Sequence, residues 1–202
     1  GIAQYKNFLL VFIIFLKAIY KVNDSILKCV IIVSIACLWI LFDYLNILLL
    51  NPLKVNDFLY AVYWLAGFRL MLIILFGWIG VIGTCLGYAL SSVFFRYFEI
   101  QDAVLLGILS SIAPLIAYKI WLKILKKSDS FLNVSFVELF YLILLSGVLG
   151  ATLRSSYLIG TYKYLNLELL MATFAANVSG SILFLFAIKG LFILYKRAFK
   201  SF

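Results

Sequence analysis

The sequence predicts an all-α fold, a polytopic transmembrane helical bundle of six or seven spans that forms a single integral membrane domain over residues 1–202. Hydrophobic residues make up 66% of the chain and charged residues only 12%. Soluble domains average about 45–50% and about 25%, respectively. The mean hydropathy is +1.17. Successive apolar runs are long enough to cross a bilayer, which takes roughly 20 residues, so a soluble fold is excluded.

The N-terminal apolar run, residues 8–20, is shorter than a usual span and contains Lys17. It predicts either a short span or an interfacial helix whose lysine lies among the lipid headgroups. Six further spans are predicted from the remaining apolar runs, at residues 26–50, 58–76, 78–95, 103–125, 136–157 and 167–195.

The longest apolar run, residues 58–95, contains a single charge, Arg69, and is far too long for one crossing. We expect it to form two antiparallel helices with a turn near Gly77. Further along the chain, Ser135 and Glu138 have the spacing of a capping box. This spacing predicts that a helix begins directly after the polar loop that precedes it.

Lysine and arginine residues near the span ends predict the orientation, because cytoplasmic loops are enriched in both. One side of the membrane carries Lys21, Lys28, Lys123, Lys126, Lys127, Lys196, Arg197 and Lys200. The other side carries Lys54, Arg96, Arg154 and Lys163. We therefore expect a protein of the cell inner (cytoplasmic) membrane, embedded in the lipid bilayer, with its C-terminus in the cytoplasm. No loop combines a basic patch with interleaved aromatic residues, so no nucleic-acid partner is expected.

Side chains that catalysis or metal binding requires are absent or poorly spaced. Histidine is absent, which excludes histidine-ligated metals, bis-histidine haem and catalytic groups with an imidazole base. Cys29, Cys37 and Cys85 lie within apolar segments without metal-binding spacing, and they are interpreted as small buried hydrophobic residues. We therefore predict no enzyme, no metal site and no cofactor.

Small residues recur at three- and four-residue spacing in several predicted helices, which lets helix backbones approach closely. The predicted packing residues are Gly80, Gly83, Gly87 and Ser91 on one helix face and Gly180 on the last helix. Such faces predict either tight packing within the bundle or a surface that admits a ligand or a partner helix.

Three polar residues lie deeper in the predicted spans than snorkelling to the interface readily explains. Asp43 and Arg69 lie on consecutive antiparallel helices, at depths that differ by about 9 Å at 1.5 Å of rise per residue. Arg69 is therefore predicted either to contact Asp43 or a backbone carbonyl, or to belong to a ligand- or proton-linked site. The third residue is Asn177, whose amide is expected to bridge two helices.

Four parts of the sequence resemble the pattern of a known family. They are residues 63–70 (YWLAGFRL), residues 75–80 (LFGWIG), the pair Gly83 and Gly87, and residues 177–180 (NVSG). In these features the chain resembles the bacterial membrane-associated sensor (MASE-type) integral membrane domains. The resemblance implies a multi-helix sensory input, of a kind commonly fused to signalling enzymes. The contact residues that it implies are Trp64, Gly67, Arg69 and Asn177. The chain departs from the family pattern at Leu65, where proline is usual, and it lacks an aspartate beside the final glycine.

Three non-enzymatic functions fit these observations. The first is a sensory or accessory subunit that packs against a larger membrane complex or forms a homo-oligomer, predicted from the small-residue faces and the expected lack of an output domain. The second is a small-molecule-binding transport component with a mid-membrane site around Arg69. The third is a pigment- or quinone-associated subunit, suggested by the 18% aromatic content.

Overall fold

Helices dominate the architecture. The computed structural model describes residues 25–50, 52, 54–56, 59–60, 62–125, 135–162 and 167–199. Within these residues there are six helices: α1 (Ser25–Leu50), α2 (Leu65–Phe76), α3 (Trp78–Arg96), α4 (Ile100–Leu125), α5 (Phe136–Tyr162) and α6 (Leu167–Phe199). Two short antiparallel strands, β1 (Lys54–Asn56) and β2 (Leu59–Tyr60), lie between α1 and α2. The helix predicted over residues 8–20 lies outside the described part of the chain.

Five of the described helices, all except α2, are long and apolar enough to cross a membrane. The chain is thus a helical membrane protein. The bounds of α1 and α3 follow the predicted spans closely, whereas α4, α5 and α6 extend a few residues beyond theirs. These extensions lie at helix ends, where polar residues continue the backbone hydrogen bonds after the apolar run has ended.

The segment predicted as a span over residues 58–76 has a different structure in its first part. The helix α2 begins only at Leu65 and has 12 residues. That length corresponds to about 18 Å, well short of the roughly 30 Å hydrocarbon core. The preceding residues, 58–64 (FLYAVYW), are rich in aromatic side chains, which favour extended backbone. Accordingly, Leu59–Tyr60 pairs with Lys54–Asn56 as a strand.

The predicted turn at Gly77 is confirmed. Gly77 has a φ of 57°, a left-handed value that favours glycine, and its amide donates to the carbonyl of Ile73 at 2.8 Å. Directly after the turn, a Cβ at Gly80 would lie 2.5 Å from the carbonyl oxygen of Leu72. The glycines therefore let α2 and α3 run back to back with their backbones in contact.

Contacts between helices give an alternating bundle, in which α1, α3 and α5 run in one direction and α2, α4 and α6 in the other. A Cβ at Gly83 would meet Ile35, and a Cβ at Gly87 would meet Trp39, so α1 and α3 are parallel. We call the end at which α2 turns into α3 the Gly77 end, and the opposite end the Arg96 end.

The start of α5 has the predicted capping box. The backbone amide of Ser135 donates to Oε2 of Glu138 at 2.7 Å, and the amide of Glu138 donates to Oγ of Ser135 at 3.2 Å. The backbone carbonyl of Glu138 also accepts a hydrogen bond from Nε1 of Trp121 on α4 at 2.7 Å. The cap therefore fixes both the start of α5 and its position against α4.

The residues before α2 lie against the middle of α6. The amide of Tyr63 donates to the carbonyl of Ala176 at 3.2 Å, and a Cβ at Gly180 would lie 2.0 Å from the carbonyl oxygen of Tyr63. The membrane-crossing part of α6 is Leu167–Gly190, so this contact lies near its centre. Non-helical backbone at membrane depth is tolerated where it is buried in protein, and α6 provides that cover here.

Substituting Gly180 tests this contact. We expect Gly180→Ala to lower the free energy of unfolding by about 1–3 kcal/mol, because the new methyl group would overlap the Tyr63 carbonyl. The matched control is Gly190→Ala on the same helix, where a Cβ meets nothing within 4 Å. Thermal unfolding of both variants in detergent measures the difference. Equal midpoints for the two variants would contradict the close contact.

Candidate ligand-binding site

Buried polar and charged side chains gather around the start of α2. We call this group the polar cluster. Its members come from α1, α2, the segment before α2, α3 and α5, and are Trp39, Asp43, Asn46, Tyr63, Trp64, Arg69, Tyr88, Arg96 and Arg154. The phenol of Tyr63 lies within electrostatic range of Asp43, Arg96, Tyr88 and Arg69, which puts it at the centre of the group.

Asp43 pairs with Arg96 and not with Arg69. Nη2 of Arg96 lies 2.6 Å from Oδ1 of Asp43, and Nη1 of Arg96 donates to Oγ of Ser92 at 3.3 Å. The carboxylate is completely buried and the arginine side chain is 12% exposed. This bond joins α1 to α3 near the Arg96 end. Asp43, the carboxylate that was predicted as a partner of Arg69, is therefore already paired.

The end of α3 explains why sequence reasoning missed Arg96. The predicted span ends at residue 95, but α3 continues through Arg96 and is followed by Tyr97 as its C-terminal cap. Tyr97 has a left-handed φ of 56°, and its amide bonds back to the carbonyl of Ser92. Arg96 is therefore held in the last helical turn, where a cation is also favoured by the helix dipole.

Arg69 is 5% exposed and makes no hydrogen bond or ion pair with any residue that the structure describes. Its electrostatic neighbours in that part of the chain are Tyr63, Tyr88 and Arg154. None of these is a carboxylate, and Arg154 carries the same charge. Burying an ion without a partner costs several kcal/mol of folding free energy, so an anion beside Arg69 would stabilise the protein.

Several buried polar atoms have no hydrogen-bond partner among the described residues. Nε of Arg69 is one of these atoms. The others are Nε1 of Trp39, Oδ2 of Asp43, Nδ2 and Oδ1 of Asn46, the hydroxyl of Tyr63, Nε1 of Trp64 and Oγ of Ser155. Buried polar groups in folded proteins are almost always paired, with protein or with water. These atoms therefore need a partner that the described side chains do not supply, either water or a bound molecule.

The helix α1 contributes three members of the cluster at one face. Trp39, Asp43 and Asn46 follow one another at four- and three-residue spacing, and all three are completely buried. The Trp39 ring lies 6.4 Å from the ring of Phe68 and 6.3 Å from that of Tyr88. These aromatic contacts hold the polar atoms of α1 against α2 and α3.

Arg154 on α5 also reaches the polar cluster. Its Nη1 donates to the hydroxyl of Tyr88 at 3.2 Å, which links α5 to α3. The sequence places Arg154 near a span end, on the side of the membrane that carries Lys54 and Arg96. In the structure its guanidinium contacts the hydroxyl of the buried Tyr88 within the bundle.

Two further predicted contact residues, Gly67 and Asn177, lie at helix interfaces. A Cβ at Gly67 would lie 2.7 Å from Cβ of Phe184 and 2.8 Å from Cα of Ser181, so α2 packs closely on α6. Asn177 faces α5, with its Nδ2 3.4 Å from the position of a Cβ on Gly150. Asn177 is thus turned toward α5, while its neighbours Ala176 and Gly180 contact the segment before α2.

The predicted packing residues lie inside the bundle. Gly80 faces α2, Gly83 and Gly87 face α1, and Gly180 faces Tyr63. Ser91 is completely buried and donates to the carbonyl of Tyr88 at 3.1 Å. Among the described residues, no group of three or more cysteine, aspartate or glutamate side chains is arranged to hold a metal ion.

A sequence signal existed for Asn46, which was not among the predicted site residues. Asn46 shares one helix face with the predicted Asp43 at three-residue spacing, so an apolar span with two polar residues on one side indicated a buried polar surface. Tyr63 and Tyr88 carried no such signal, because interfacial belts and aromatic-rich spans contain many tyrosines. Only the packing of five segments brings these side chains together.

No protein-family model, curated protein or solved structure matches the chain. The resemblance to MASE-type sensor domains therefore stays a prediction, and the candidate site rests on its own geometry.

The Asp43–Arg96 pair is open to a double-mutant test. Arg96→Gln should lower the free energy of unfolding by about 3–5 kcal/mol, because it leaves the buried carboxylate of Asp43 unpaired. The double variant Asp43→Asn with Arg96→Gln should recover most of that loss, since neither buried charge remains. Thermal unfolding of the parent, both single variants and the double variant gives the coupling. Additive losses would contradict the ion pair.

Proposed function

We propose that this chain is a non-enzymatic transport component that binds a small solute within the membrane, at the polar cluster around Arg69. A single observation carries the proposal. Arg69 is 5% exposed at the start of α2 and has no partner among the described residues. Such a charge is expensive to bury, and intramembrane ionisable residues commonly mark substrate or ion pathways.

The interruption before α2 supports the same function. Transporters commonly bind substrate near the bilayer midplane, where a discontinuous helix exposes a helix end and irregular backbone to the site. Here α2 has 12 residues, and the residues before it contact α6 at Ala176 and Gly180. A membrane helix that starts inside the bundle has a cost in backbone hydrogen bonds, which a binding role would explain.

The alternative role, an accessory subunit that docks through its small-residue faces, has less support. In the described part of the chain, Gly80, Gly83, Gly87 and Gly180 are occupied by α1, α2 and the segment before α2. The surfaces that motivated a partner are therefore already covered within the bundle. A pigment- or quinone-associated role has no observation beyond the aromatic content.

Solute binding is tested by what co-purifies with the full chain. We expect mild detergent extraction followed by mass spectrometry of the released small molecules to find a solute with the parent protein. Arg69→Gln should lose that solute. Lys28→Gln is the matched control, because it removes the same charge from an exposed position on α1. Equal solute recovery from both variants would contradict the proposal.

The stability of the empty protein separates loss of binding from loss of folding. Removing an unpaired buried charge relieves its desolvation cost, so Arg69→Gln should unfold at the same temperature as the solute-free parent or higher. A variant that fails to insert or that unfolds earlier would show instead that Arg69 has a structural partner.

The proposed orientation puts the Gly77 end and the C-terminus in the cytoplasm, in a cell inner membrane. The basic residues near the predicted span ends support it through the positive-inside rule. A green fluorescent protein fused after Phe202 should fluoresce, and alkaline phosphatase fused at the same place should be inactive. The opposite pair of results would reverse the orientation.

A further inference from the structure

We infer that the solute bound at the polar cluster is an anion, of which a small carboxylate is the class that the site matches best. This inference rests on the proposed function, because it names the chemistry of the ligand at the same site. Three independent features of the described residues lead to it: the balance of charge, the balance of hydrogen-bond donors and acceptors, and the end of the interrupted helix.

The polar cluster contains three arginines and one carboxylate, so its charge is positive, and no described carboxylate lies beside Arg69. Asp43 is already paired with Arg96 at 2.6 Å. The groups within electrostatic range of Arg69 include two tyrosines and Arg154, but no carboxylate of the described chain. A cationic ligand would add to this repulsion, whereas an anion would neutralise the free guanidinium. The positive charge of the site therefore favours an anionic ligand over a cationic one.

The unpartnered atoms are mainly donors. The indole nitrogens of Trp39 and Trp64 and Nε of Arg69 donate and cannot accept. The Tyr63 hydroxyl and the Asn46 amide can also donate. The unpartnered atoms that accept without donating are Oδ2 of Asp43 and Oδ1 of Asn46, so an acceptor-rich ligand satisfies more of the site than a donor-rich one. The guanidinium also matches a carboxylate through two parallel hydrogen bonds.

The start of α2 adds a partial positive charge. The residue before the helix, Trp64, makes no side-chain cap, and α2 begins beside Tyr63, well inside the bundle. The first-turn amides of α2 already donate to the backbone carbonyls of Tyr63 and Trp64, so the feature that favours an anion here is the positive end of the helix dipole. Arg69 lies one turn further along the same helix, so the two positive features are close together.

The depth of the site favours a soluble anion over a lipid headgroup. The contact of Tyr63 with Ala176 and Gly180 lies near the centre of the membrane-crossing part of α6. Lipid phosphates lie roughly 15 Å from that level, at the edge of the hydrocarbon core. A solute that enters the bundle therefore fits this depth better than a lipid headgroup does.

The inference is tested with the full chain in phosphatidylcholine nanodiscs, by following thermal unfolding through tryptophan fluorescence. Sodium acetate and sodium butyrate are the probes, and acetamide and butyramide are their uncharged counterparts. We expect at least one carboxylate to raise the midpoint by about 5 °C at saturation in the parent and in Lys28→Gln. Neither amide should do so, Arg69→Gln should abolish the rise, and Arg69→Lys should retain part of it.

Each contrary result has a definite meaning. The absence of an Arg69-dependent rise with both carboxylates would overturn the inference. An Arg69-dependent rise with an amide of equal or greater size would overturn the charge assignment and leave the solute site of the proposed function standing. An Arg69-dependent rise on adding phosphatidylglycerol, with the carboxylates silent, would assign the site to a lipid headgroup. Failure of the proposed function itself is recognised separately, by equal solute recovery from the parent and Arg69→Gln.

Discussion

The contact between the segment before α2 and the middle of α6 is the constraint on which the rest of the site depends. The Tyr63 amide bonds to Ala176, and the Tyr63 carbonyl occupies the space that a side chain at Gly180 would take. Because this segment is tied to α6, α2 starts late and remains only 12 residues long. Arg69 consequently lies about one turn from a buried helix start, and no described carboxylate lies beside it.

The two charged residues predicted to lie deep in the membrane, Asp43 and Arg69, have different surroundings. Asp43 is neutralised by Arg96 from the last turn of α3, and this pair ties α1 to α3 near the Arg96 end. Arg69 receives no such partner in the described part of the chain. A packed interior normally excludes an unpaired ion, so its presence indicates a position kept for binding at some cost in stability. The proposed solute binding and the proposed preference for an anion both rest on this difference.

Glycine makes this arrangement sterically possible, and it does so within the bundle. At Gly83 and Gly87 the backbone of α3 comes close enough to α1 for Trp39 to pack beside Tyr88. At Gly80 it approaches α2. Small residues that suggest a docking surface in a sequence thus serve here to bring polar side chains from separate helices into one buried group.

The sequence by itself determined the fold class, the approximate bounds of the five long helices, the turn at Gly77 and the start of α5, because hydrophobic length, glycine and capping patterns are local properties. It also singled out Arg69, since a lone charge in an apolar run is visible without a structure. Only the tertiary structure decided which residues surround Arg69. The pairing of Asp43 with Arg96, the late start of α2 and the approach of Tyr63 depend on contacts between segments far apart in the chain. An aromatic-rich stretch is compatible with both helix and extended backbone, and its tertiary contacts decide between the two.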